Sequence, residues 1–204
     1  MPRRWTVRSL CALFAATTAV ALPAHANAQQ EPPGLTPDAL RSAAADSPDT
    51  AAAVDALLDA ATNPAGILDD LLNPPRNTPQ PFMEAAPTVG LGCGGGFVPF
   101  AQTVGWAQPG PNTNPDVAIG QLKIFVSPTI PVQPARSDLT FVWLNMDTFR
   151  GGIDKLDDTT GGVPQLTKTV NTGTGPVLSA LFGSVEYANG TYCQVIYTMG
   201  GFFA

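Results

Sequence analysis

Carboxylates and aromatics are the side chains of this chain that could do chemistry, and they fall in three places. Phe141, Trp143, Asn145 and Asp147 alternate along one strand-like segment and so share a face. An aromatic platform followed by an amide and a carboxylate is the combination used by sites for sugars and apolar ligands. Asp154, Asp157 and Asp158 stand between Gly151-Gly152 and Gly161-Gly162, which reads as an acidic loop. Such a loop could offer calcium its oxygen ligands, although the spacing is not that of an EF-hand and Lys155 lies among the acids. Asp147 and Glu186 are the acids best placed for paired-carboxylate hydrolysis of a glycan, a chemistry that needs two such groups at fixed distance. Gly90-Leu91-Gly92-Cys93-Gly94-Gly95 matches the dinucleotide fingerprint in letters only. A strand-like run follows it, where phosphate binding needs a helix N-terminus. No residue is assigned a catalytic role and no cofactor is called for, calcium at the acidic loop being the one left open.

Residues 1–26 decide which other chemistries are open. Arg3, Arg4 and Arg8 precede an apolar run over 10–22, which ends on Ala24-His25-Ala26. A basic start, a short apolar run and a small-x-small ending read as a cleaved export signal. The Arg3-Arg4 pair before Trp5 leaves both the general and the twin-arginine export routes open. Cleavage after Ala26 would discard the one histidine, His25, and Cys11. Ser-His-Asp, Cys-His and His-metal sites are then excluded. Cys93 and Cys193 remain, and an oxidising destination pairs them as a disulfide. The same cleavage takes Arg3, Arg4 and Arg8 from 10 basic residues against 16 acidic ones, leaving a net charge of −9. That balance argues against nucleic acid and against an electrostatic grip on anionic lipid. No second apolar stretch approaches the ~20 residues of a transmembrane helix.

The elements that must position these residues fall into zones. Residues 27–72 hold a polar leader and short Ala-rich helices. Thr36-Pro37-Asp38 and Ser47-Pro48-Asp49 each place a cap, a proline at the first helical position and an acid at the positive end of the dipole. Val54, Leu57, Leu58 and Ala61 keep a helical stripe with Asp55 and Asp59 facing away, and Ile67, Leu68, Leu71 and Leu72 form a second stripe. Residues 73–87 hold five prolines and read as a linker, so residues 88–204 are expected to form a separate β domain that folds without the helices.

Within 97–107, Val98, Phe100, Val104 and Trp106 read as one face of an edge strand; 117–127 alternates around Leu122, Ile124 and Val126. Residues 138–147 are apolar on both faces, as a central strand must be. Asn189-Gly190 between two β-prone runs predicts a hairpin with a two-residue turn, pairing Tyr187 with Tyr192 and Glu186 with Cys193. With 20 glycines, 21 prolines and only 13% charged residues, the chain reads as mainly β: an antiparallel sandwich or small barrel.

The function these features suggest is that of an exported, non-catalytic protein, secreted or held in the cell envelope. It would bind a protein partner, a glycan or an apolar small molecule. An oligomeric structural or pore-forming envelope subunit and a carboxylate-based glycosidase are the alternatives.

Overall fold

The two capping sequences do start helices. The computed structural model describes residues 33–63 and 78–204, in which α1 spans Pro37–Ala44 and α2 spans Pro48–Thr62. Thr36 Oγ1 accepts the Ala39 amide and Ser47 Oγ accepts the Thr50 amide, each at 3.4 Å. Val54, Leu57, Leu58 and Ala61 are buried along α2, and outward-facing Asp55 takes the Arg41 guanidinium at 3.3 Å. The export signal, the leader, the stripe Ile67, Leu68, Leu71 and Leu72, and Pro74 and Pro75 lie outside the described residues.

Among the described residues, fifteen strands follow in chain order. They are β1 (Gln80–Pro81), β2 (Ala86–Val89), β3 (Phe100–Thr103), β4 (Gly105–Pro109), β5 (Asn112–Thr113), β6 (Asp116–Val117), β7 (Gln121–Val126) and β8 (Pro134–Ser137). After these come β9 (Thr140–Asn145), β10 (Arg150–Lys155), β11 (Thr159–Thr160), β12 (Val163–Pro164), β13 (Thr167–Asn171), β14 (Pro176–Tyr187) and β15 (Tyr192–Phe203). Antiparallel pairing builds a small sheet, β1-β4-β7-β13, and a large one, β10-β9-β14-β15-β2-β3, with β8 against the far end of β14. β5-β6 and β11-β12 are short ribbons.

The two sheets enclose one core. Leu122, Ile124 and Val126 of β7 and Ala107 of β4 meet Phe141, Trp143, Leu181, Val195 and Phe202 of the large sheet, with Phe82 edge-on to Phe202 at 5.0 Å between ring centroids. The fold is therefore an antiparallel β-sandwich. The Cys93–Cys193 disulfide lies in this core, with its sulfurs 2.06 Å apart and both residues no more than 1% exposed.

A second apolar cluster lies on the opposite face of the large sheet. There Val142, Leu144, Leu178, Ala180 and Phe182 are covered by Leu40 of α1 and by Ala53, Val54, Leu57 and Leu58 of α2. This is why β9 is apolar on both faces: Phe141 and Trp143 serve the sandwich, while Val142 and Leu144 serve the helices. The described residues, 33–63 and 78–204, belong to one compact unit. The sandwich also begins earlier than Thr88, because β1 and the first half of β2 fall within the stretch read as a linker, and Ala86 is fully buried.

Two local expectations are corrected. Residues 97–107 do not make one strand: β3 and β4 break at Val104 and enter different sheets, leaving Val98, Phe100 and Val104 exposed. The terminal hairpin is shifted by one residue, since Glu186 pairs with Tyr192 and Val185 with Cys193. Its loop holds three residues, closed by Gly190 N–H to Tyr187 O at 2.8 Å and Tyr187 N–H to Thr191 O at 2.9 Å, with Gly190 at φ +83°. A turn followed by a left-handed glycine is the usual three-residue alternative to a two-residue loop. The shift decides which face each strand presents, and it turns Cys193 toward Cys93.

Candidate functional site

The face expected to bind a ligand is interior. Phe141 and Asn145 are 0% exposed and Trp143 only 3%. Asn145 uses its whole amide to hold a corner together. Its Nδ2 donates to the carbonyls of Thr172 and Thr174 at 2.9 and 3.0 Å, and its Oδ1 accepts the amides of Asp147 and Thr148 at 3.0 and 3.1 Å. Trp143 donates from Nε1 to Asp154 Oδ2 at 2.8 Å and lies across Gly152, where any Cβ would sit 2.7 Å from the indole nitrogen. Only Asp147 is exposed. Phe141, Trp143 and Asn145 are therefore structural. Asn145→Ala is expected to cost about 2–3 kcal/mol, because it strands several buried polar groups at once; chemical denaturation reads it.

The acidic loop is half strand. Gly151, Gly152 and Asp154 belong to β10, and the glycines there make room for Trp143 and for the bridge of Gly151 to Leu35. Asp154 is engaged by Trp143, Asp157 pairs with Lys168 Nζ at 2.6 Å, and Asp158 accepts the Thr167 hydroxyl at 2.9 Å. The three acids are thus each held by a different partner. Among the described residues no three His, Cys, Asp or Glu side chains gather as a group able to hold a metal ion.

The hydrogen bond from Lys168 holds the Asp157 carboxyl below its ordinary range, and the same bond raises Lys168. The stabilisation from Asp157 is present above the unfolded carboxylate's titration and is lost as pH falls through the lowered value. That from Lys168 is lost as pH rises through the raised one. Both groups are substantially solvated, so Lys168→Ala is expected to cost under about 1 kcal/mol at neutral pH, and less in high salt. Urea melts across pH would show it.

Asp147 and Glu186 do not converge either. Asn145 pairs with Val177 near one end of β14, and Glu186 lies nine residues further along that strand. At ~3.3 Å per residue the two acids stand roughly 30 Å apart, whereas glycoside hydrolysis needs its carboxyls within about 5–9.5 Å.

A groove that sequence reasoning missed lies on the outer face of the large sheet. Gly183 pairs with Val195 and Leu181 with Thr198, so two residues of β15, Ile196 and Tyr197, face the single residue Phe182 of β14. This β-bulge interrupts the alternation of β15 and re-aims adjacent side chains. Gly183 makes it feasible: at φ +123° it packs so close to the backbone just before β9 that a Cβ would lie 2.9 Å from the Leu139 Cα. α2 lays its small face, Ala52, Ala53 and Ala56, opposite the bulge. Between them is a groove of about 530 Å³, with Asp49 and Gln194 also in its lining.

Its size lies within the range of small-molecule sites, as does its mainly apolar lining with few polar groups. The Tyr197 hydroxyl is shut off from solvent and has no hydrogen-bond partner among the described residues. Burial raises its pKa above the ordinary phenol value, so near neutral pH it stays a donor that lacks an acceptor. Asp49 places a carboxylate in the lining, which disfavours an anionic occupant.

A more polar recess of about 400 Å³ opens on the outer face of the small sheet, where Phe125 and Lys123 meet Asp158, Gln165 and Thr167. Phe125 stacks on Trp106 there at 5.6 Å. No family model, curated protein or solved structure matches the chain, so its function has to be argued from this geometry.

Proposed function

We propose that the protein is an exported, non-catalytic binding protein, secreted or held in the envelope, whose ligand is a small, neutral, mainly apolar molecule with one hydrogen-bond acceptor. The ligand lies in the groove between α2 and the bulge of β15. The observation that carries this reading is the mainly apolar groove of about 530 Å³ with Tyr197 in its lining; the Tyr197 hydroxyl, closed to solvent and unpartnered among the described residues, would meet a ligand by a turn of its side chain toward the groove. A buried donor without a partner costs roughly 1–3 kcal/mol, and a carbonyl, ether or hydroxyl oxygen on a bound molecule would remove that cost. Ala52, Ala53 and Ala56 leave the volume open, and Phe182 and Ile196 supply apolar walls.

Nile red, neutral and carrying a carbonyl, is a suitable probe. The full chain is expected to bind it saturably, with a blue-shifted emission that A56F weakens at least about tenfold by filling the groove. Y197F is expected to weaken Nile red more than it weakens a pure hydrocarbon competitor. Equal affinity of parent and A56F, at unchanged stability, would remove the groove from consideration.

A further inference from the structure

The loop joining β2 to β3, with the first residue of β3, carries the largest group of exposed apolar side chains among the described residues. Phe97 is 88% exposed, Leu91 70%, Phe100 68% and Val98 51%, with Tyr192 beside them at 54%. From the structure we infer that this loop is an anchor that inserts into an electrically neutral lipid surface, a role separate from the groove. Three observations point to lipid.

The loop cannot bury these side chains in its own protein. Cys93 is tied to Cys193 directly beneath it, and β2 and β3 pair up to Val89 and Phe100, so the space under the loop is already filled. At its tip, a Cβ on Gly95 or Gly96 would meet nothing within 4 Å. The tip is convex and projects outward.

Five of the nine amides in the loop are hydrogen-bonded within it. Gly90 donates to Pro99 O, Cys93 to Gly90 O, Gly94 to Val98 O, Gly95 to Gly92 O and Val98 to Gly95 O, at 2.9–3.2 Å. Each pair made inside the loop is withdrawn from a docking strand and lowers the cost of entering a hydrocarbon medium.

Charge selects the kind of lipid. Residues 85–115 contain no Asp, Glu, Lys or Arg, and the whole chain carries a net charge of −6. Entry of the tip therefore desolvates no ion, and nothing in it attracts an anionic headgroup. The groove and the loop make independent claims, and either can fail alone.

Phosphatidylcholine vesicles test the inference on the full chain. The F97W variant is expected to show an added tryptophan emission, relative to the parent, that shifts to the blue with vesicles and is quenched by brominated phosphatidylcholine. F97S/F100S is expected to bind those vesicles at least about tenfold more weakly than the parent, with an unchanged melt and little dependence on salt. Because parent and variant share the same N-terminal segment, the difference belongs to the loop. Unshifted, unquenched F97W emission would overturn the anchor. So would binding that needs anionic lipid. A concentration-dependent dimer abolished by F97S/F100S, without a vesicle effect, would assign the loop to a second copy of the chain instead.

Discussion

A chain that begins at Thr78, keeping β1–β15 and losing α1 and α2, is expected to be insoluble or to melt without cooperativity. The reason is the outer face of the large sheet. Val142 and Leu144 are 0% exposed, Leu178 2% and Phe182 7%, and what covers them is α1 and α2. Burying each such side chain contributes about 1.5–3 kcal/mol, so uncovering four forfeits roughly 6–12 kcal/mol. That is comparable with the whole stability of a domain, about 5–15 kcal/mol. The exposed strip would also be a contiguous apolar patch at the centre of the sheet, which favours aggregation. A gentler variant separates docking from tethering: Leu57→Ala is expected to cost about 2–5 kcal/mol, because Leu57 is 0% exposed against β9 and β14. A soluble, cooperative fragment together with a near-neutral Leu57→Ala would return the helices to the status of an appendage.

Replacing both cysteines, C93A/C193A, is expected to lower stability by about 2–5 kcal/mol, or roughly 5–20 °C in Tm. The bond closes a loop across a sequence separation of 100, for which chain entropy alone gives about 4.7 kcal/mol. Packing adds to this, since both residues belong to the sandwich core. The loss should be greatest locally: Cys193 is in β15, Cys93 fixes the Gly-rich loop, and β2 meets β15 through only two residue pairs, Gln194 with Val89 and Val195 with Thr88. Hydrogen exchange at Thr88, Val89 and Ala101 is therefore expected to accelerate more than exchange at Val142 or Leu144. A loss below about 1 kcal/mol, spread evenly, would mean that the sheet edge holds without its staple.

Much of this architecture is legible in the sequence because it depends on neighbours along the chain. The Thr-Pro-Asp and Ser-Pro-Asp starts of α1 and α2, the alternation of β7, the two-sided apolarity of β9 and the Asn-Gly hairpin are all local patterns, and all are present. What escapes depends on partners distant in sequence. Val98, Phe100, Val104 and Trp106 alternate like one strand, but no local pattern tells that β3 and β4 leave for different sheets. The hairpin register turns on whether Asn189-Gly190 is the whole turn or the end of a three-residue one, and both suit the same residues. The aromatic and acidic groups of β9 and β10 read as a site because sequence cannot show that Trp143 and Asp154 satisfy each other, or that Asn145 is fully occupied by its own corner.

The groove had one faint signal, Gly183 amid an apolar run. A glycine inside a strand pattern often marks a bulge or a close approach of backbone. Nothing local says that α2 lies opposite with three alanines and Asp49.

The claim that the bulge groove holds a neutral apolar ligand is tested most directly by methyl NMR on the full chain, titrated with decan-1-ol. The account predicts saturable shifts at the methyl groups of Ala52, Ala53, Ala56, Val195 and Ile196, abolished in A56F while the rest of the spectrum is unchanged. Shifts absent from these methyls, or identical in A56F, would contradict it.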